Sequence, residues 1–411
     1  MTIIEFFDKS PLDNIAGALL CRPEKVIYVG DRKRHLENAI ASYQRMLTAR
    51  GIDIHMACRV VNRNKLSDIV ETLRHIISEN TDCVFDLTGG DDLYLVAVGM
   101  IMSEYVGSVH CHRFNFRNST IIECDNDGNI CATEDFAISV EENVIIHGGE
   151  IIEGGESGID GTYNWDFNDD FCCDIDKMWQ ICRIDSRLWN SHVGTLGALD
   201  ELYGDGHLSV SFEKKEAPTV LKKMGIKYSF IVGIMRAFEK EGLISSFKYG
   251  DRISFTYKND QVKRALSIAG QLLELAVAKS LIHIKDDDGN SLYHDTRVGV
   301  IIDWDGGDEV ENVRTVNEID VFAMKDSIPV FISCKNGNFE IDELYKLHTV
   351  AEHFGSQYAK KVLIANELYR MGAKAEYLRA RAEDMNIRLI ENINKMDESE
   401  LERVLKSLWR N

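Results

Sequence analysis

The chain has 411 residues and a mass of 46.6 kDa, length enough for two or three domains with separate cores. Its 47 Lys and Arg against 67 Asp and Glu give a net charge of −20, which excludes a uniformly basic nucleic-acid coat, and a hydrophobic share of 45% excludes general disorder. Four prolines exclude a proline-rich scaffold, no apolar run is long enough for a membrane span, and ten cysteines without a CxxC pair are expected as reduced thiols in the cytoplasm.

The opening MTIIEFFDKSPLDNIAGALL has no basic stretch ahead of its apolar part, so a secretory signal is not expected. Strands and helices then alternate. Lys25–Gly30 (KVIYVG) is an apolar, β-branched run suited to a buried parallel strand. Asp31–Gly51 has helical spacing at Leu36, Ile40, Tyr43, Met46 and Leu47. Ile52–Val60 predicts a second strand, Lys65–Ser78 a second helix, Cys83–Leu87 a third strand and Leu93–Met102 a third helix. This alternation predicts a doubly wound parallel sheet, with ligands outside the carboxyl ends of its strands. Two loops fall at that edge: Gly30-Asp31-Arg32 and Thr88-Gly89-Gly90-Asp91-Asp92. Consecutive glycines before a helix let backbone N–H groups approach a phosphate, although the same pattern also makes an ordinary strand-to-helix turn. Neither a Walker A loop nor a GxGxxG pattern occurs.

Residues 141–176 hold eleven acids and no Lys or Arg, which reads as a solvated connector with short strands. Glu216–Gly225 and Tyr228–Gly242 predict two short helices, and Leu243–Phe247 with Arg252–Lys258 predict a hairpin around Tyr249-Gly250-Asp251. Two helices and a hairpin make a winged-helix pattern. Arg236 and Lys240 are offset by Glu239 and Glu241, so a connector or dimerisation role is favoured over DNA reading.

Gly270–Ile284 is apolar nearly all round and predicts a core helix, interrupted by Glu274. A carboxylate there needs a partner, because unpaired buried charge is costly. Val298–Trp304 predicts a strand, and Val316–Ala323 with Ile328–Lys335 a hairpin turning at Lys325-Asp326-Ser327. Strand side chains repeat every two residues, so Glu318 and Asp320 share one face and Ser333 and Lys335 share another. If those faces coincide, two acids, a hydroxyl and a lysine converge, either as a catalytic group or as a structural ion-pair network.

Helix Glu274, strand Asp320 and Ser333-Cys334-Lys335 on the next strand resemble the layout of the PD-(D/E)xK nucleases. The stretch NEIDV…FISCKNG, followed by ELYKLHTVAEHFG and KVLIAN, resembles in particular the nuclease half of CRISPR ancillary effectors, which carry an N-terminal CARF domain that senses a cyclic oligoadenylate. DLTGGDDL stands where the CARF family has its Thr-Gly-Gly ligand loop. The resemblance implies an α/β chain in three parts: a Rossmann-like CARF domain over 1–145, an acidic linker and winged-helix-like connector over 146–265, and a restriction-endonuclease-like domain over 266–411. It implies a homodimer that binds cyclic tetra-adenylate through Thr88–Asp92, Gly30–Arg32 and residues near Ser10 and Asn14, and that cleaves single-stranded RNA or DNA, with duplex also possible. Asp320, Glu274 and Glu318 would hold Mn²⁺ or Mg²⁺, and Lys335 would stabilise the phosphoryl charge. The chain departs from the family pattern at Ser333, where a carboxylate is usual, and a hydroxyl is a poorer ligand for such ions. That departure also feeds an alternative: a ligand-sensing DNA-binding transcription regulator with a decayed nuclease domain.

Overall fold

The structure is a computed structural model; it describes residues 1–116, 120–124, 130–131, 136–154, 161–184, 186–304, 316–366 and 368–409. Among these residues three sheets organise the chain. The first opens with a strand the sequence reading did not separate from the N-terminal apolar run, β1 (Thr2–Phe6). Then come α1 (Pro11–Cys21), β2 (Lys25–Gly30), α2 (Lys33–Ala49), β3 (His55–Val60), α3 (Leu66–Glu79), β4 (Cys83–Asp86), α4 (Asp92–Glu104), β5 (Val109–Asn115), β6 (Thr120–Glu123) and β7 (Ile130–Cys131). The order is β3-β2-β1-β4-β5-β6-β7, parallel through β5 and antiparallel beyond. All five β1 residues are buried, which places this strand at the centre of the predicted doubly wound sheet. Alternation along it sends Ile3 to one core and Ile4 and Phe6 to another.

The middle of the chain contributes α5 (Val140–Ile146), β8 (Glu150–Ile151), α6 (Asp169–Ile184), α7 (Ser186–Tyr203), β9 (Ser209–Glu213), α8 (Ala217–Lys223), α9 (Val232–Lys240), β10 (Ile244–Tyr249), β11 (Arg252–Tyr257) and α10 (Asp260–Ala265). The helices and hairpin of the winged-helix reading are present, with β9 completing a β10-β11-β9 sheet. Tyr228–Ile231, read as part of the second helix, precedes it without helical structure. The acidic stretch 141–176 includes 155–160, which lie outside the described residues. Its flanks are ordered: α5 starts on a Ser139–Glu142 capping box, and Asp174, fully buried on α6, accepts from Lys258 Nζ at 2.6 Å.

The last part holds α11 (Gln271–His283), β12 (Asp295–Asp303), β13 (Val316–Lys325), β14 (Ile328–Asn336), α12 (Asp342–Gly355), β15 (Lys360–Asn366), α13 (Ala373–Asp384), β16 (Ile387–Glu391) and α14 (Glu398–Lys406). Its sheet runs β16-β15-β14-β13-β12-β8, so β8, from the stretch read as connector, is its edge strand. The predicted hairpin turns at Asp326, whose φ of 55° is left-handed. One face of this sheet, with Val321 and Ile332, packs under α11 and shares a core with the winged-helix region. The other face, with Phe322 stacked on Phe331 at 4.5 Å, shares a continuous core with α1 and α2 of the first sheet. Full burial of such a side chain contributes about 1.5–3 kcal/mol, so the two sheets are joined by many such terms.

Candidate active site and ligand crevice

Strands β13 and β14 pair from Lys325–Ile328 to Val321–Ile332 and then part, while β14 runs on beside β15 to Asn336. The residues just past the parting point are Asp320 on one strand and Ser333, Cys334 and Lys335 on the other. Asp320 Oδ2 accepts three donors there: the Cys334 N–H at 2.6 Å, the Ser333 hydroxyl at 3.1 Å and the Lys335 ammonium at 3.2 Å. The period-two expectation therefore holds, with Asp320, Ser333 and Lys335 on one side of the ribbon.

Glu274 comes to this group from the first turn of α11, where it accepts from Gln271 Nε2 at 2.7 Å. Burial, then the charges of Asp320 and Glu318, hold its carboxyl well above the usual range. Burial and Asp320 likewise push Glu318 up. Burial opposes charge on Lys335, but Asp320 and Glu343 outweigh it and hold its pKa above the ordinary lysine value. Three carboxylates, Asp320, Glu274 and Glu318, thus crowd one ammonium, and Glu343 adds a fourth. Such hard oxygen donors suit a divalent cation, and the mutual repulsion on Glu274 is charge that a cation would offset. Among the described residues no three acid, His or Cys side chains stand ready to hold a metal ion by themselves.

Sequence reasoning missed Glu343. It lies in the first turn of α12, where an acid reads simply as a match to the helix dipole, yet its Oε2 is 3.0 Å from Lys335 Nζ. It also missed an asparagine ladder beside the lysine. Asn190 on α7 exchanges hydrogen bonds with Asn336, and Asn336 Oδ1 accepts from Asn366 on β15. Only proximity in space could have found either.

At the carboxyl ends of the first sheet, the strand order reverses between β1 and β4, with α1 and α2 over one face and α3 and α4 over the other. The loop after β4 closes on the loop after β1. A Cβ on Gly89 would lie 2.9 Å from Asp8 Cβ, and one on Gly90 would lie 2.7 Å from Phe6 Cβ. Gly90 also needs its φ of +94°. Asp86, wholly buried, anchors the loop by accepting from the Thr88 hydroxyl and, at 2.8 Å, the Thr88 N–H. Asp91 caps α4 through the Leu93 N–H at 3.3 Å. Asp92 starts that helix and is exposed. Arg63 bridges Asp91 at 3.3 Å and Asp31 at 3.9 Å, tying the two candidate loops together. Gly30 is buried, while Asp31 and Arg32 are exposed. Ser10 is buried and its N–H donates to Asp8 Oδ1 at 3.0 Å. Asn14 is buried with its amide engaged by Asp8 N, Asp8 O and Tyr43 Oη at 2.8–3.0 Å, so it fixes the β1 loop from within.

No family model matches the chain, and no curated protein is similar to it in sequence. Two solved structures are similar in fold along the whole length. Protein VC1899 from Vibrio cholerae is 18% identical, with a TM-score of 0.72 over 100% of this chain and 97% of that one. Can2 from Sulfobacillus thermosulfidooxidans, solved in complex with cyclic tetra-adenylate, is 12% identical, with a TM-score of 0.66 over 100% and 99%. The chain shares its overall fold with these two proteins. The α/β architecture expected from sequence is present among the described residues: a doubly wound N-terminal sheet, a winged-helix-like middle and a mixed C-terminal sheet.

Proposed function

We propose that the chain is an endonuclease of type III CRISPR antiviral defence, switched on by a cyclic oligoadenylate and hydrolysing phosphodiester bonds of RNA or DNA with Mn²⁺ or Mg²⁺. The observation that carries this reading is the meeting of Asp320, Ser333 and Lys335 where β13 and β14 part, with Glu274 and Glu318 pressing on the same spot. Packing alone gives no reason to gather three carboxylates around one lysine beside a hydrophobic core.

Asp320 and Glu274, with Glu318 beside them, would hold the cation. A divalent ion in such a place lowers the pKa of its water and offsets charge on the phosphate. Lys335 keeps its proton between Asp320 and Glu343, and so presents a fixed positive charge to the phosphoryl oxygens as negative charge builds. Ser333 donates to Asp320, which aims that carboxylate and stands where an acid is usual.

The sensor reading rests on the crevice between the β1 and β4 loops. Can2 was solved with cyclic tetra-adenylate, and whole-length likeness to it supports the same ligand class here. Gly89 and Gly90 let the Thr88–Asp92 loop pack against the β1 loop at the α4 N-terminus, where the helix dipole favours a phosphate. Helix α4 exposes Leu95 (46%), Val96 (49%) and Met100 (42%) beside that loop, a face suited to a second copy. A two-fold pair would set two loops around one cyclic ligand.

The test is a panel of cyclic oligoadenylates against labelled RNA and DNA, single-stranded and duplex, with Mg²⁺ and Mn²⁺ in parallel. Cleavage is expected only with ligand and cation together, and Asp320→Ala or Lys335→Ala should lose about 100-fold or more in rate at unchanged ligand affinity. Full activity in Asp320→Ala overturns the assignment. No cleavage in any arm, with a metal-independent gel shift of duplex DNA, favours the transcription-regulator alternative.

A further inference from the structure

The Lys335 ammonium lies 3.2 Å from Asp320 Oδ2 and 3.0 Å from Glu343 Oε2, a bridge between β13 and α12. The other Glu343 oxygen is 2.9 Å from Lys346 Nζ. The side chains are partly sheltered, at 24% exposure for Lys335 and 25% for Glu343. Glu343 is held in place by its neighbours: Leu344 is fully buried, and the Glu343 N–H donates to the Glu340 carbonyl at 3.2 Å. On the other flank, Ser333 spends its hydroxyl on Asp320. Strand β14 therefore brings no negative charge of its own to balance its lysine. The charge comes from Asp320 on β13 and from Glu343 on α12.

We infer that Glu343 is a positioning residue for the nuclease site, holding Lys335 extended toward Asp320 and standing in for the carboxylate absent at Ser333. This rests on the nuclease reading above. A flexible four-carbon stem with one partner has many ways to fold back; a second carboxylate on the far side removes most of them. Serine at 333 is consistent with that division. Its hydroxyl donates to Asp320 and leaves the second carboxylate partner of Lys335 to Glu343. The pairing of Glu343 with Lys346 one turn on supports the helix and also fixes the carboxylate that Lys335 meets.

The experiment compares wild type, Glu343→Gln and the double change Ser333→Glu with Glu343→Gln, all in the full chain with cyclic tetra-adenylate and Mn²⁺ on labelled single-stranded RNA and DNA. Glu343→Gln should lower kcat by about 10- to 100-fold with KM and Tm nearly unchanged. The double variant should recover most of that loss. A crystal structure of Glu343→Gln, which needs no activity, should find the Lys335 ammonium displaced from Asp320. Wild-type kcat in Glu343→Gln, an unmoved Lys335, or no recovery in the double variant would each overturn the inference. An inactive wild type would instead overturn the nuclease reading, and the crystal structure would still decide whether Glu343 positions Lys335.

Discussion

Glu274 shows most directly what the candidate site does to the fold. Its carboxyl is held well above the ordinary range by burial and by Asp320 and Glu318. In the unfolded chain the same group ionises near its usual pKa, so the folded state retains a proton that the unfolded state has released. Stability contributed by that proton is present at low pH and is lost as pH rises between the two values. Glu274→Gln has no proton to lose. It should therefore raise Tm relative to wild type, by an amount that widens from pH 5 to pH 8, while cleavage disappears; each kcal/mol relieved adds about 2–4 °C. A gain that does not depend on pH would remove this account of Glu274. Glu274, Asp320 and Lys335 were legible in the sequence because a helix interrupted by one acid and strands with period-two polar residues are local patterns. Glu343 was not, because its meaning comes from a lysine eight positions away across a turn.

At the scale of elements, the Thr88–Asp92 loop is set by contacts as much as by composition. Gly90 combines a positive φ with a neighbour, Phe6, that leaves no room for a Cβ. Gly90→Ala should cost about 1–3 kcal/mol and weaken cyclic tetra-adenylate binding about tenfold or more, read by calorimetry. Unchanged affinity would reduce the loop to a turn. The sequence announced β2, β3, β4 and the β13–β14 hairpin well, since each is a β-branched run between clear breaks. It hid β1, whose TIIEF merges into a longer apolar stretch, and β9, whose alternating SVSFE is short and polar on one face. The parting of β13 from β14 was also invisible, because pairing is decided by two strands together and not by either alone.

Across the whole molecule, an aromatic contact near the crevice adds to the apolar core that joins the first and last sheets. Tyr358, just ahead of β15, interacts with Asp13 on α1 and tilts against Phe116 with ring centroids 4.4 Å apart; Phe116 meets Phe114 at 4.6 Å, and the Phe114 N–H donates to Thr88 Oγ1 at 2.8 Å. Strand β15 in turn pairs with β14 beside Ser333 and Lys335. Burial lifts the Asp13 carboxyl to about 7 even against the pull of Tyr358. If ligand binding shifts two arrangements of the sheets, this contact sits between them. Tyr358→Phe should reduce the stimulation of cleavage by cyclic tetra-adenylate several-fold, within the about 0.5–2 kcal/mol range of such coupling changes, while unstimulated cleavage stays put. Equal stimulation in the variant would exclude the hydroxyl from the coupling.

The apolar interior that runs unbroken from α1 and α2 to Phe322 and Phe331 also limits how this architecture can be taken apart. A cut after α5 would divide that interior and expose apolar residues on both pieces. Exchanging either part for another, in the laboratory or over generations, therefore requires both mating surfaces to change in step.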